Sequence, residues 1–364
     1  MTHPIGSSGN EAAVVCSSAT ELTLLGDVWL TQSVRTEFAS DQLVLANLEA
    51  PITNTDSFTP RKILLRSREN HLRATFGDQV AVSLANNHML DHGLDGLQDT
   101  LRELDQAGIP YAGAGLNIDG CRNPLLIELS GEMVGVICCS QRLGGQLATE
   151  TEAGVFPADP DQLQVQIQRL QQQRIEHILV VIHWGQEEVY LPKPSDMELG
   201  RQLVDWGATA VIGHHAHRIQ AAEMYQGSPI FYGLGNAIFP DVACDIRDEQ
   251  GQVTVTSRKR QLKRNQVSLA VSYSPRERNF RVDRLYFDGQ RLRVMKRDVG
   301  QRHLQTLPQR GDYQKQFARS VRWGRLSCSL LNFLASPRLP RSKDFGYLLS
   351  LAGFRTRSGR PSNQ

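Results

Sequence analysis

The sequence predicts a mixed-sheet α/β domain with a basic C-terminal extension. Between residues 21 and 240, short apolar runs rich in β-branched residues alternate with segments long enough to be helices. Further pairs of apolar runs are joined by turn residues, which predicts β-hairpins in the same domain. A chain of 364 residues that is 40% hydrophobic can bury a large core. Strands that alternate with helices and also form hairpins are typical of mixed sheets covered by helices.

The chain divides into three parts. Residues 1–20 are small and polar and predict a mobile leader, residues 21–300 carry the α/β domain, and residues 301–364 form the extension. The extension has twelve Lys or Arg against two Asp, a formal charge of +10 that leaves −8 for the rest of the chain. This asymmetry indicates an acidic partner for the extension, whether a polymer, a nucleic acid or a lipid surface.

Apolar spacing locates the main elements. Helices are predicted at 95–108, 161–174 and 197–207. The first of them ends at Gly108, a typical C-cap. Hairpins are predicted around the Ser-Gly-Glu turn at 130–132 and around Asp288-Gly289. Residues 241–266 are polar and predict a solvated loop.

Cysteine usage and the terminal segments predict a cytoplasmic location. Six Cys in a chain of this length do not make a disulfide framework, and without a Cys-x-x-Cys pair a thiolate zinc site is disfavoured. Cys138 and Cys139 are predicted to be buried free thiols. The N-terminus has no basic and apolar signal pattern, and the apolar stretches 326–335 and 345–354 are about half the length needed to span a bilayer.

Five apolar runs each lead into side chains that can bind a divalent metal. In chain order these side chains are Asp27, Glu49, Asn86 to His88, His183, and the imidazoles of His214, His215 and His217. In α/β sheets, ligands bind just past the strand ends. The placement therefore predicts one assembled metal site.

The donor chemistry indicates the metal. Carboxylate, amide and imidazole donors come from Asp27, Glu49, Asn87, His183, His215 and His217. This mixed set suits Mn, Fe or Zn better than Ca or Mg. Six donors fit two divalent transition metals that share a carboxylate and hold a bridging hydroxide, roughly 3.5–4 Å apart. His88 remains as a candidate general acid or electrophile.

Each position taken alone also has a structural explanation. An Asp after a strand is usually a cap or turn residue, Asn-Asn-His can form a turn, and a single His is more often a satisfied core residue. The Gly-His-His-Ala-His block differs, because three imidazoles within four positions have little structural rationale. Their common placement at strand ends favours the metal site.

The order of these blocks resembles the calcineurin-like metallophosphatase superfamily. Within it, the blocks resemble the bacterial capsule-synthesis (CapA-type) family, which is associated with poly-γ-glutamate capsules. The blocks, within residues 22–240, are GDVWL, NLEAPIT, ANNHMLDHG, HWGQE, GHHAH and YGLGN. Trp29 stands where the superfamily has a His, Ala216 replaces a common Pro, and Ala237 replaces a common aromatic residue.

The resemblance implies a four-layer α/β/β/α sandwich and a role for each site residue. It makes metal ligands of Asp27, Glu49, Asn87, His183, His215 and His217. It makes His88 the catalytic histidine, with Asp91 and Glu187 as further catalytic or substrate-orienting residues. His214 and Asn236 become substrate-pocket residues.

These observations lead to two functional hypotheses. The first is a metal-dependent hydrolase that acts on a phosphoester or a γ-glutamyl acyl centre, with a polyanionic polymer or a phosphoester as substrate. The alternative is a non-catalytic polyanion-binding or assembly factor for capsule polymer synthesis or export. A nucleic-acid phosphodiesterase is disfavoured because basic residues are not interleaved with aromatic ones.

The extension has two interpretations. In the first, its apolar segments, framed by Lys and Arg, lie on the inner face of the membrane or contact a capsule-assembly partner. Each basic residue near an anionic membrane adds about 1 kcal/mol to the binding free energy. The favoured alternative is a pair of short helices that cap the core with a basic exposed face.

Overall fold

Two large β-sheets with helices on their outer faces form the fold, in a computed structural model that describes residues 14–38, 42–297 and 313–334. The strands are β1 (Val14–Cys16), β2 (Glu21–Val28), β3 (Arg35–Thr36), β4 (Gln42–Leu48), β5 (Val80–Ser83), β6 (Tyr111–Ala112), β7 (Ala114–Gly115), β8 (Leu125–Leu129), β9 (Glu132–Ser140), β10 (Gly154–Val155), β11 (His177–His183), β12 (Ala210–His214), β13 (Ala222–Tyr225), β14 (Ser228–Phe231), β15 (Asn236–Ile238), β16 (Val242–Arg247), β17 (Val253–Lys259), β18 (Val267–Ser274), β19 (Asn279–Phe287) and β20 (Arg291–Lys296). The helices are α1 (Leu72–Phe76), α2 (Gly93–Ala107), α3 (Ile118–Cys121), α4 (Pro160–Gln172), α5 (Pro194–Asp205) and α6 (Tyr313–Leu334).

Both sheets are mixed, with parallel strands where the site lies. The first sheet runs β1-β8-β9-β11-β12-β14-β13, and β9, β11, β12 and β14 are mutually parallel. The second runs β3-β20-β19-β18-β2-β4-β5-β6, with β15 beside β2, and its parallel strands are β2, β4, β5 and β6. The carboxyl ends of the parallel strands in the two sheets meet at one edge of the sandwich.

Three apolar clusters define the layers. The cluster between the sheets contains Leu24 from one sheet and Leu179 from the other. Leu97 of α2 packs on the outer face of the second sheet, and Leu163 of α4 and Leu203 of α5 pack on the outer face of the first. Burying each Leu contributes roughly 1.5–3 kcal/mol. The predicted four-layer α/β/β/α sandwich is confirmed.

The helices begin and end where their sequences favour it. In α2, Leu97 and Leu104 are buried, and Gly108 takes the left-handed conformation (φ 60°) while its N–H donates to the Leu104 carbonyl. In α4, the side chain of Asp159 accepts from the Gln162 N–H, and Pro160 occupies the first turn. The three helices predicted from apolar spacing are present with ends shifted by a few residues, and so are both predicted hairpins.

Two segments differ from the sequence-based expectation. The prediction of a loop over 241–266 is wrong, because β16 and β17 pair there as an antiparallel hairpin. Val253 and Val255 of this hairpin are about half exposed, so it has no continuous apolar face that the sequence could signal. Of the predicted leader, residues 1–13 lie outside the described residues, whereas β1 pairs in parallel with β8 at the edge of the first sheet.

The basic extension is described only in part. Residues 301–312 and 335–364 lie outside the described residues, and so does the apolar segment 345–354. The described part is one long helix, α6, where short helices are predicted, and the Tyr313 hydroxyl donates to the Pro192 carbonyl at 2.9 Å. Among the described helices, none combines the length and the apolar character that crossing a membrane requires.

The two adjacent thiols lie in the core as predicted. Cys138 and Cys139 are buried in β9 and carry no disulfide. Burial raises the pKa of Cys138 to about 12, so this thiol stays protonated and behaves as a small apolar side chain.

Candidate metal centre

The six predicted ligands lie at the carboxyl ends of parallel strands from both sheets. Asp27 is near the end of β2, Glu49 directly follows β4, and His183 is the last residue of β11. Asn87 follows β5, and His215 and His217 follow β12. All six are buried, with Asp27 and Glu49 0% exposed. The apolar strands carry these polar side chains into the interior because each strand ends at the same edge of the sandwich.

Three donor groups converge on the ring of His183. Its Nε2 lies 2.8 Å from Asn87 Oδ1, 3.2 Å from His215 Nδ1 and 3.7 Å from Glu49 Oε1. Two imidazole nitrogens, an amide oxygen and a carboxylate oxygen thus surround one small volume. This is the mixed donor set that transition metals prefer.

A second group forms around Asp27. His217 Nδ1 lies 3.2 Å from Asp27 Oδ2 and 2.9 Å from Asn236 Oδ1. The amide of Asn47 donates to Asp27 Oδ1 at 2.8 Å and to Glu49 Oε2 at 2.6 Å, which ties the two groups together. Sequence reasoning did not single out Asn47, although it stands two residues before Glu49 in the same block.

Burial and neighbouring charges set the protonation of these groups. Burial, reinforced by the Asp27 carboxylate, raises the pKa of Glu49 well above its ordinary value. Burial would lower the pKa of His217, but the contact with Asp27 outweighs it and raises that pKa to about 9. Burial lowers the pKa of His215 to about 4 and that of His183 well below 6.5, so both rings are neutral at pH 7. Neutral imidazole is the form that binds metal.

The residues fit a divalent metal centre. Ligand atoms of Asp27, Glu49 and His183 all lie within 4.8 Å of one another. Glu49 Oε1 is buried and has no hydrogen-bond partner among the described residues. Two fully buried carboxylates this close repel each other unless a cation compensates them. A bound divalent ion would satisfy the orphaned oxygen and lower the pKa of Glu49.

Beside the donors, His88 is held by an acidic anchor. His88 Nδ1 lies 2.7 Å from Asp91 Oδ2, which also accepts the Leu65 N–H at 2.7 Å. Lys62 Nζ lies 2.7 Å from Asp91 Oδ1 and also donates to the Asn87 carbonyl. Because Nδ1 faces Asp91, the Nε2 atom is free to act on a bound substrate. Lys62 escaped the sequence analysis because it belongs to none of the six sequence blocks.

Trp29 forms an apolar wall beside the donors. Its Nε1 donates to the Arg66 carbonyl at 3.0 Å, so the indole is committed to the backbone. The ring packs edge-on against Phe239, which in turn packs against the ring of His217 at 5.0 Å. Phe239 therefore supplies an aromatic side chain two residues after Ala237.

Two predicted site residues, His214 and Glu187, do not lie among the metal donors. His214 points between the sheets, where its Nε2 contacts the Leu25 carbonyl at 2.9 Å, so it links β12 to β2 instead of lining a pocket. Glu187 lies on the rim, about half exposed, and pairs with Lys259 at 3.4 Å. Burial opposes ionisation of Glu187, but His217 and Lys259 lower its pKa to about 2, so it is a carboxylate at neutral pH.

Comparison with known proteins places these features in one family. A family model described as bacterial capsule synthesis protein PGA_cap matches residues 18–241. The chain is 29% identical over 243 residues to the capsule biosynthesis protein CapA of Bacillus anthracis, covering 60% of this chain and 59% of that protein. It is 33% identical over 215 residues to a probable polyglutamine synthesis accessory protein of Mycobacterium tuberculosis, covering 56% of this chain and 57% of that one.

The chain thus spans less than two thirds of the length of these relatives. Among solved structures, a 5'-nucleotidase precursor from Thermus thermophilus aligns with a TM-score of 0.38 and 15% identity, over 76% of this chain and 54% of that one. The family match covers more than half of the chain and contains every donor described above. The protein therefore belongs to the bacterial capsule synthesis protein family.

Proposed function

We propose that this protein is a metal-dependent hydrolase of capsule-polymer metabolism, which cleaves a phosphoester or a γ-glutamyl bond. The observation that carries the proposal is the convergence of Glu49, Asn87 and His215 on His183, next to an anchored histidine. In the metal-free protein Asp27 faces the protonated ring of His217, but no cationic side chain among the described residues pairs with Glu49. Here a buried carboxylate oxygen of Glu49 is left for a ligand.

The chain offers donors for two divalent transition metals, with Mn, Fe and Zn as candidates. Glu49, Asn87, His183 and His215 would hold one ion, and Asp27 with the deprotonated ring of His217 would hold the other. Bound divalent metal lowers the pKa of water and polarises the bond to be cleaved. The apolar wall of Trp29 and Phe239 limits water access on one side.

His88 is placed to move a proton at its Nε2 atom. Asp91 fixes the ring through Nδ1, and Lys62 holds Asp91 in turn. With the ring so oriented, His88 donates a proton to the oxygen or nitrogen that leaves. Glu187, a carboxylate on the rim, is placed to orient the substrate.

The names of the relatives support a capsule context. CapA of Bacillus anthracis is described as a capsule biosynthesis protein, and the Mycobacterium tuberculosis relative as a probable polyglutamine synthesis accessory protein. We infer a polyanionic polymer substrate from this context.

An activity screen tests the proposal. Purified full chain is assayed against phosphomonoesters, phosphodiesters and γ-glutamyl polymer, with Mn, Fe or Zn added back. We expect metal-dependent turnover of one class, and we expect His88→Ala to lose it by about 10²- to 10⁴-fold while keeping its metal. No turnover in any class with any of the metals would contradict a hydrolase.

A second function, a non-catalytic polyanion-binding or assembly factor, is favoured by the +10 charge of residues 301–364. In this function the extension would contact a capsule-assembly partner or the inner face of the membrane from the cytoplasm. Such a factor would show no turnover, yet would bind anionic liposomes or polyglutamate through the extension in a salt-sensitive way.

A further inference from the structure

Residues 258–264, with the sequence RKRQLKR, form a basic strap beside the metal centre. Five of these seven residues are Lys or Arg, whereas residues 1–300 as a whole carry a formal charge of −8. The strap thus concentrates positive charge in an otherwise acidic domain. Like charges this close repel one another, so their clustering calls for an anionic partner.

The first anchor of the strap is on the rim of the site. Lys259 Nζ lies 3.4 Å from Glu187 Oε2 and 3.3 Å from Glu188 Oε1, and Arg264 Nη2 lies 3.4 Å from Glu188 Oε2. Glu188 is buried and also accepts the side-chain amide of Asn265 at 2.9 Å. Two carboxylates therefore fix the strap at both ends.

A second anchor reaches the metal donors. Gln261 Oε1 accepts the amide of Asn236 at 3.2 Å, and Asn236 in turn contacts His217. The backbone N–H of Gln261 donates to Asp241 Oδ1 at 2.7 Å. The middle of the strap is thus two side chains away from a predicted metal ligand.

The other charges of the strap face solvent. The side chains of Arg258, Arg260 and Lys263 are exposed, and none of the described residues forms an ion pair with them. After the carboxylates of Glu187 and Glu188 are counted, the strap keeps a net charge of +3 beside the site. An exposed positive field beside a cleft raises the local concentration of anions.

We propose that the basic strap is the binding surface for a polycarboxylate chain whose reacting unit lies in the metal centre. Arg258, Arg260 and Lys263, the exposed basic residues of the strap, hold successive anionic groups of the chain. This inference rests on the proposed function, because it places the polymer beside the same site.

The composition of the strap favours a polycarboxylate over a nucleic acid. Surfaces for single-stranded nucleic acid combine basic side chains with aromatic platforms for the bases, and the strap has no aromatic residue. Lys and Arg alone suit a chain that repeats carboxylates, which they bind through charge-assisted hydrogen bonds.

The test measures binding, not turnover. The full chain, loaded with Mn, is titrated into fluorescein-labelled poly-γ-glutamate near physiological salt, and anisotropy gives the Kd. The Arg260→Gln/Lys263→Gln variant is compared with Arg169→Gln/Arg276→Gln, which removes the same charge from exposed positions on α4 and on the turn between β18 and β19. We expect the strap variant to bind about fivefold more weakly, as for the loss of two exposed ion pairs, with a shallower salt dependence, and the control to bind normally.

Three results would overturn the proposal. They are equal binding by the strap variant and the control, binding that only removal of the extension weakens, and tighter strap-dependent binding of a labelled single-stranded oligonucleotide. Arg258→Gln/Arg260→Gln, which should also weaken binding, is a second variant in case the first is unstable. Turnover of a chromogenic phosphomonoester by the wild type is recorded separately. Its absence would exclude phosphomonoester cleavage as the reaction of the site, whereas the binding result alone supports or overturns the role of the strap.

Discussion

The Asp91→Asn substitution tests how His88 is positioned. Asp91 is 0% exposed and its carboxylate meets His88 Nδ1, Lys62 Nζ and the Leu65 N–H, each at 2.7 Å. Asn keeps the size of the side chain and one acceptor oxygen, but it removes the charge that faces Lys62. Breaking a fully buried ion pair costs about 3–5 kcal/mol. Since the Lys62 side chain is 16% exposed, we expect a loss of about 2 kcal/mol in the free energy of unfolding.

The same substitution should also reduce turnover. Without the carboxylate, the ring of His88 is no longer fixed with Nε2 toward the substrate, and turnover should fall by about 10²- to 10³-fold. Metal content should not change, because Asp91 is not among the donors. The loss should be larger for an alkyl phosphoester than for a nitrophenyl ester, because the nitrophenolate needs little protonation to leave.

Asp95→Asn is the matched control. Asp95 lies on α2, is exposed, and accepts the Ser57 hydroxyl at 2.6 Å, so the same substitution there should change stability by less than about 0.5 kcal/mol. Turnover, metal content and urea unfolding are measured for both variants. Equal losses for alkyl and nitrophenyl esters, or loss of metal in Asp91→Asn, would refute the assignment of His88 as proton donor.

Two further predictions concern His217. Asn236→Ala removes the oxygen 2.9 Å from His217 Nδ1 and should weaken metal binding about 10- to 100-fold by calorimetry, whereas Asn279→Ala should not. In metal-free protein, the pKa of His217 rises from 6.5 to about 9 on folding. Protonated His217 therefore contributes fully to the free energy of unfolding below pH 6.5, and this contribution is lost as the pH rises through 9. Urea unfolding in chelator should show this loss, and a His217→Gln variant that shows the same pH dependence would disprove it.

The sequence predicts the metal donors well because they follow the ends of apolar strands. Asp27, Glu49 and His183 follow apolar runs, and the meeting of parallel strand ends makes their assembly predictable. The layers also follow from apolar periodicity, as in α2, where Leu97 and Leu104 are buried.

What the sequence missed depends on long-range contacts. Lys62 meets Asp91 only because a loop folds over the site, and no local pattern encodes that approach. His214 shares a block with two metal-ligand candidates, yet the strand geometry turns it toward Leu25. The sequence predicts a loop where β16 and β17 form a hairpin, because the charged residues around the alternating Val and Thr of β17 weaken the strand pattern.

Metal stoichiometry tests the central claim most directly. The full chain is purified, stripped with chelator and titrated with Mn, Fe or Zn, and bound metal is measured by elemental analysis. We expect close to two ions per chain for the wild type, as for sites that share a carboxylate, and loss of both from the Asp27→Ala/His215→Ala variant. A wild-type protein that takes up none of these metals would contradict the account.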